Sequence, residues 1–490
     1  MGKQVEELTF KPEDFTRFRD KLRDNLDALK TILARPDFGV GELSFGAELE
    51  LYIVDGSGSP LHINQEIINK MNDPQLTLEL NRYNLEYNFS PVLLKDGCLA
   101  ATQREAEQAM KRINEAASEW NGWVIPVGIL PTLQQPDTGY HAMTPLPRFN
   151  ALTRELTELR GGPFSIAISG EDSIQLAMDD VTLEGANTSF QVHLRVPPAE
   201  YGDAYNAVQL VTPLAVAMAA NSPTLFGHRL WQETRIPLFK QSIDCRPLGS
   251  MHPSPARVNF GNYWIRDAGD LFTEAVLLYR PLLPICSDED ALKVLSKGGT
   301  PQLDELRLHQ GTIWLWNRPV YDPIDGGHLR IELRAFPAGP SIVDMLANAV
   351  LAIGLARVMQ PNIRELLPAI PFQYGIANFY RAAEKGLDAE LFWPSLGQSQ
   401  PEYYAAHEIL EKLVPQIPEK LIELGFLEDD FMPLFRVIEE RLASRQTGSK
   451  WQLDKLTELR KDMHKRDALQ EMLKQYGTNS TANIPVAQWK

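Results

Sequence analysis

Apolar residues recur every three or four positions near the start of the chain. Phe15, Phe18, Leu22, Leu26, Leu29 and Leu33 are separated by Asp, Arg and Lys, which predicts an amphipathic helix. From Leu43 the period falls to two. Phe45, Ala47, Leu49, Leu51 and Ile53 take one face of an extended strand and Glu48 and Glu50 take the other, until Asp55-Gly56-Ser57-Gly58 ends the run as a turn. A second alternating run covers Leu78–Phe89, with Leu85, Tyr87 and Phe89 opposite Asn84, Glu86 and Asn88. Thr102 and Glu105 read as a capping box that opens a helix through Ala106, Ala109, Ile113 and Trp120. Three further strands are expected at Ser189–Val196, Ala256–Gly261 and Leu329–Ala335, with an apolar helix over Ala204–Ala220. From Ser341 the pattern is helical almost to Gln475, and the polar tail Gly477–Lys490 is expected to fray.

The five predicted strands share a feature. Each has an apolar face, and each has an opposite face carrying groups that bind ions: Glu48, Glu50, Glu86, Gln191, His193, Arg257, Glu332 and Arg334, with no Lys among them. A solvated sheet face normally favours Lys, Thr and Ser. Should the strands be neighbours, these groups converge on one curved surface. Glu48 and Glu50 lie two residues apart on one strand face, so their Cβ atoms are separated by roughly 6.5–7 Å. That spacing is wide for one small cation and suits two, each taking one carboxylate. Glu79, Glu86, His193 and Glu332 are available to complete the two shells. An oxygen-rich set with one His and no Cys favours Mg2+ or Mn2+ over zinc. Divalent ions would also relieve the repulsion among these acids and toward a nucleotide. Arg257 and Arg334 would then meet a transferred phosphoryl group. Arg235, close to Trp231 and Glu233, either binds a substrate carboxylate or pairs with a surface acid.

Composition narrows the function classes. The 490 residues include 48 Lys and Arg against 64 Asp and Glu, a formal charge of −16, which argues against general nucleic-acid binding. Cys98, Cys245 and Cys286 form no CxxC pair, so neither a disulfide framework nor a thiolate zinc site is expected, and a reducing cytoplasm is. The polar N-terminus reads as no signal peptide, and the apolar stretches Val208–Ala220 and Met345–Leu355 fall short of the ~20 residues that cross a bilayer. There is no GxxxxGK[ST] loop, GxGxxG fingerprint or GxSxG elbow. His141 and His252 read as ordinary loop histidines, and the cysteines as inert small residues.

Gly46-Ala47-Glu48-Leu49-Glu50 resembles the Gly-x-Glu-x-Glu strand of the type 2 glutamate–cysteine ligases, the carboxylate–amine ligase branch of the glutamine-synthetase-like superfamily. The likeness continues through Glu79, Glu86-Tyr87-Asn88-Phe89-Ser90-Pro91, Gln191-Val192-His193, Ala220-Asn221-Ser222-Pro223 and Arg330-Ile331-Glu332-Leu333-Arg334, in order over roughly residues 42–360. The resemblance implies an α+β fold, a curved antiparallel β-sheet funnel backed by helices, as in glutamine synthetase and the guanidino kinases. With the hydrophobic pattern, the chain divides into an N-terminal helix packing on the core (1–40), a catalytic domain (41–360) that the resemblance covers, a C-terminal helical region (361–475) and a flexible tail (476–490). The resemblance further implies that Glu50, Glu79 and Glu86 hold one Mg2+, that Glu48, His193 and Glu332 hold a second, and that Arg334 binds the transferred phosphate. Gln191, Arg235 and Arg330 are the expected substrate contacts. The implied co-substrate is ATP, the implied substrates are glutamate and cysteine or another amine, and the implied product is a γ-glutamyl amide made through γ-glutamyl phosphate. Two alternatives stand beside this: a ligase or kinase of the same fold acting on another amine, and a catalytically silent binding or regulatory protein. No membrane partner is expected, and the pattern leaves homo-oligomerisation open.

Overall fold

The alternation at residues 44–55 forms a single strand, β1 (Ser44–Asp55), with Phe45, Ala47, Leu49 and Leu51 buried on one face. A computed structural model describes residues 9–249, 254–394 and 401–490, so His252 lies outside the described residues. β1 is central to a curled antiparallel sheet with β2 (Leu76–Leu78), β3 (Asn84–Asn88), β4 (Phe190–Val196), β5 (Asn317–Asp322) and β6 (His328–Leu333). The strand order is β5-β6-β4-β1-β3-β2, and the short strands Val92–Leu93 and Gly122–Ile125 pair with the two ends of β1. β1 thus changes neighbours along its length, and the normal right-handed strand twist turns the sheet into a trough.

Two helices that are apolar on every side lie in the core, as such helices must. They are α3 (Tyr201–Ala219) and α4 (Ile342–Met359), and they pack on each other. The segment Ile342–Ala369 is long and apolar enough to cross a membrane, but 83% of its apolar window is buried inside the protein. The first helix, α1 (Pro12–Leu33), buries Phe18, Leu22, Leu26 and Leu29 against the helices Ala268–Leu278 and Asp304–Gln310. The C-terminal helices α5 (Glu428–Ser444), α6 (Gly448–Leu459) and α7 (Lys465–Thr481) complete the packing, with α5 lying on α4.

Five expectations need correction. The run Leu78–Phe89 is not one strand: it reverses after Leu78, where the Asn84 amide bonds the Asn81 carbonyl, and Leu78 pairs with Leu85. The segment Ala256–Gly261 contributes only Val258–Asn259, paired in parallel with Trp314–Leu315 outside the large sheet. Gly261 ends that run at φ +118°, and the Asn259 amide is turned back onto the Ala256 carbonyl at 2.7 Å. Thr102 is no N-cap, because the helix α2 (Cys98–Ala117) begins four residues earlier and the Thr102 hydroxyl bonds the Cys98 carbonyl. The free amides of Leu99 and Ala100 are capped instead by Asp430 of α5, at 2.9 and 2.7 Å, which no local pattern reveals. The helical run after Ser341 is interrupted by a hairpin, Glu390–Trp393 with Glu402–Ala405. The tail does not fray: residues to Thr481 extend α7, and Trp489 is buried with its ring 5.0 Å from Trp451 and 5.1 Å from Tyr476. The Val486 amide bonds Asp344, which pairs with buried Arg441 at 2.6 Å. The tail's few apolar residues therefore have a receiving surface that its polar composition conceals.

A candidate two-metal active site

Strand register assembles the site. Side chains two apart share a face. Glu48 and Glu50 on β1, Glu86 on β3, Gln191 and His193 on β4, Arg318 on β5, and Arg330, Glu332 and Arg334 at β6 all project to the concave side. Glu50 lies opposite Glu86, Glu48 opposite Gln191, His193 opposite Glu332, and Glu332 opposite Arg318. The β1 partner of His193 is Gly46, where a Cβ would sit 3.7 Å from the His193 Cβ. The bare backbone leaves room for the ring to lean toward Glu48, and Nε2 lies 3.1 Å from its carboxylate.

Two triads result: Glu48, His193 and Glu332, and Glu50, Glu79 and Glu86. Within each, one ligand atom from every residue lies within 4.8 Å of the others, and each triad could hold one cation. Their electrostatics differ. Burial alone would raise Glu332, but Arg318, Arg334 and His193 hold it well below the usual carboxylate range. Arg318 grips it through Nε and, at 2.8 Å, through Nη2, and Arg334 reaches it at 3.0 Å. Burial opposes ionisation of Glu48 too, and the His193 ring brings it below its ordinary value.

The second triad has no such cation within it. Burial and the Glu86 charge push Glu50 up to about 8, and burial with Glu86 and Glu50 holds Glu79 well above its ordinary value. Glu86 is raised by burial and by Glu48, although Asn88 donates to it at 2.9 Å. Three crowded acids, each held above its ordinary value, suit a hard divalent cation, which would relieve their mutual repulsion. The donor atoms, carboxylate oxygens and one imidazole nitrogen, fit Mg2+ or Mn2+.

Gln191 joins the two halves. Its carbonyl accepts from Arg334, and its amide donates to Glu50 at 2.9 Å, where the Ser189 backbone amide also binds at 2.7 Å. Arg330 lies on the same face one alternation away, 3.3 Å from Asp322, with its Nε buried and unpartnered among the described residues. Arg235 is buried and pairs at 3.2 Å with fully buried Glu233, not with a surface acid. Its charge is nevertheless felt at Glu50. Arg257 is not brought to the cluster. Its strand lies outside the sheet, and its guanidinium is used on the carbonyls of Thr312, at 3.0 Å, and Arg280, beside the Tyr279 ring. The sequence reading missed Arg318, because the strand Asn317–Asp322 has Pro319 within it and little apolar alternation. It also missed Glu184, a half-buried acid that desolvation raises to about 7, placed in a turn without periodicity.

The model of glutamate-cysteine ligase family 2 matches residues 44–264. No curated protein gives a significant sequence match. Among solved structures, glutamate–cysteine ligase from Francisella tularensis, crystallised in complex with AMP, superposes with a TM-score of 0.51 at 11% identity, over 91% of this chain and 90% of that one. A bifunctional glutathione synthetase from Pasteurella multocida gives a TM-score of 0.46 at 11% identity, over 94% of this chain and 55% of that one. The matched segment carries Glu48, Glu50, Glu79, Glu86 and His193, every triad member except Glu332. Residues 44–264 are thus similar to glutamate-cysteine ligase family 2, and the chain shares the fold of a glutamate–cysteine ligase.

Proposed function

We propose that this protein is an ATP- and Mg-dependent ligase that joins the γ-carboxylate of glutamate to an amine, with cysteine as that amine. One observation carries the reading: two ligand triads share strand β1 on one concave face, with arginines at their junction. Glu50, Glu79 and Glu86 would hold one cation, and Glu48, His193 and Glu332 the other. Bound there, the cations supply charge neutralisation for the phosphate oxygens.

The reaction is two displacements. A γ-carboxylate oxygen of glutamate attacks the γ-phosphorus of ATP, and ADP leaves. The amine then attacks the acyl carbon of γ-glutamyl phosphate and loses a proton as phosphate leaves. Phosphoryl transfer asks the protein for alignment and for positive charge where negative charge accumulates. Arg334 is suited to the second task, since it lies between Glu332 and Gln191 and carries a permanent charge that Glu332, Glu50 and Glu48 reinforce. Arg318 fixes the Glu332 carboxylate from the other side, and Gln191 keeps Arg334 in register with Glu50. All three cysteines are free, which supports a reducing, cytoplasmic setting for a reaction that uses a thiol substrate.

The test is ADP release with Mg-ATP and glutamate, adding one amine at a time. Cysteine-dependent turnover that yields γ-glutamylcysteine supports the proposal. Turnover with another amine and none with cysteine moves the assignment to that amine. Folded protein without nucleotide turnover under any of these conditions refutes it.

A further inference from the structure

Arg334 follows the last residue of β6, and the segment after it, Ala335 to Ala338, is gripped along both edges. One edge continues the pairing with β4. The Phe190 amide bonds the Phe336 carbonyl at 3.1 Å, the Ala338 amide bonds the Thr188 carbonyl at 3.1 Å, and Pro337 stands opposite Ser189. Ser189 is also the residue whose amide binds Glu50, at 2.7 Å. On the other edge two side chains close on carbonyls that the sheet leaves open. Arg235 donates to the Ala335 carbonyl at 3.3 Å, and Asn221 donates to the Ala338 carbonyl at 2.8 Å. One short stretch of backbone thus joins Arg334 to the support of Glu50, and two buried side chains hold its ends.

Both grips are set from Asn221. Its backbone amide bonds Glu233 at 2.8 Å, and Glu233 holds the Arg235 guanidinium at 3.2 Å. Its side chain is fixed from the far end of the chain. The amide nitrogen also donates to the Tyr476 hydroxyl of α7 at 2.7 Å, and the side-chain carbonyl accepts from Gln452 of α6 at 2.9 Å. The Tyr476 hydroxyl donates in turn to the Pro126 carbonyl at 2.8 Å. An asparagine that uses both donors and its acceptor on three separate segments has one orientation. Asn221, Glu233, Arg235, Gln452 and Tyr476 are each at most 2% exposed, so bulk water does not replace a bond that is lost. Helix α6 docks so closely that a Cβ on Gly448 would stand 2.1 Å from the Asn221 side-chain oxygen, where only glycine fits.

We propose that Tyr476 and Gln452 are positioning residues that act through Asn221 on the segment between Arg334 and Ser189. The C-terminal helices donate no member of either triad and lie beyond the matched residues 44–264, yet they belong to the catalytic unit as its brace. Without the Tyr476 hydroxyl the Asn221 amide is free to turn, its hold on Ala338 loosens, and Arg334 shifts against Glu332 and Gln191. Phosphoryl transfer is sensitive to small misplacements of this kind. The consequence for turnover rests on the ligase reading; the mechanical link does not.

The test compares the full-length parent with Tyr476→Phe and Gln452→Met, by amide hydrogen exchange across residues 188–190 and 334–338 and by kcat and KM for Mg-ATP. Both variants should exchange about 10-fold faster in these two segments, the worth of one hydrogen bond. Their kcat should fall about 10- to 100-fold, with KM within about twofold of the parent. Val486→Ala serves as the control. Val486 is fully buried in the C-terminal tail and makes no hydrogen bond to Asn221 among the described residues, so this variant should lower the urea midpoint and leave exchange in the two segments and kcat unchanged. Unchanged exchange in Tyr476→Phe, faster exchange with full kcat, a loss confined to KM, or the same effects from Val486→Ala overturns the brace. Faster exchange in a protein that turns over no amine supports the brace and counts against the ligase reading alone.

Discussion

Glu50→Gln should stabilise the metal-free protein, and more so as pH rises. Burial and Glu86 raise the Glu50 acid from 4.5 to about 8 in the folded chain. Below pH 4.5 the acid is protonated whether folded or unfolded, and its titration costs nothing. Between the two values the folded chain keeps a proton that the unfolded chain releases, so stability declines with pH by about 1.4 kcal/mol per unit. Above pH 8 both states are ionised, and the penalty stops growing. It amounts to about 2 kcal/mol at pH 6 and about 5 kcal/mol at pH 8.5. Glutamine has the same shape and no charge, and re-pairing with the Ser189 amide and Gln191 costs about 1 kcal/mol. The variant should therefore gain about 1 kcal/mol at pH 6 and about 4 kcal/mol at pH 8.5, net of that cost. Urea unfolding with a chelator at the two pH values measures this, and added Mg2+ should stabilise the parent far more than the variant. A variant no more stable than its parent at pH 8.5, or an advantage that shrinks as pH rises, would refute the reasoning.

Glu332→Gln removes the buried acid that neutralises Arg318 and Arg334, and should lower kcat sharply and cost about 3 kcal/mol in urea, because two largely covered cations lose their partner. Arg257→Met should lower stability and leave the KM for ATP within about twofold, since that guanidinium serves Thr312 and Arg280; a large rise in KM would return it to the site. Deleting residues 486–490 uncovers Trp451 and Tyr476 and should cost at least about 3 kcal/mol, read as a lower urea midpoint with altered near-ultraviolet circular dichroism.

Period-two patterning made β1, β4 and β6 legible, and the face it assigns to Glu48, His193 and Glu332 is the face they occupy. Spacing along β1 separately suggested two ions, and the structure supplies two triads there. Legibility ended where side chains are placed by distant partners. Nothing near residue 98 indicates that Asp430 caps α2. Arg257 has the right alternation and the wrong sheet, because the sequence shows a strand's faces but not its neighbours. Arg318 is the reverse case, a residue on a poorly patterned strand that owes its position to pairing with β6. Arg235 pairs with Glu233, two residues away and wholly buried, a setting that local pattern does not distinguish from a surface pair.

Because β1 donates alternate residues to both triads, its tolerance of length change depends on parity. One extra residue between Ser44 and Glu48 would rotate both acids into the oily layer beneath the trough and bring Ala47 and Leu49 to the top. Two extra residues would keep every side chain facing the right way and merely slide both acids along the trough. Natural variation in this stretch should therefore come in even steps, and an odd one should leave neither triad assembled.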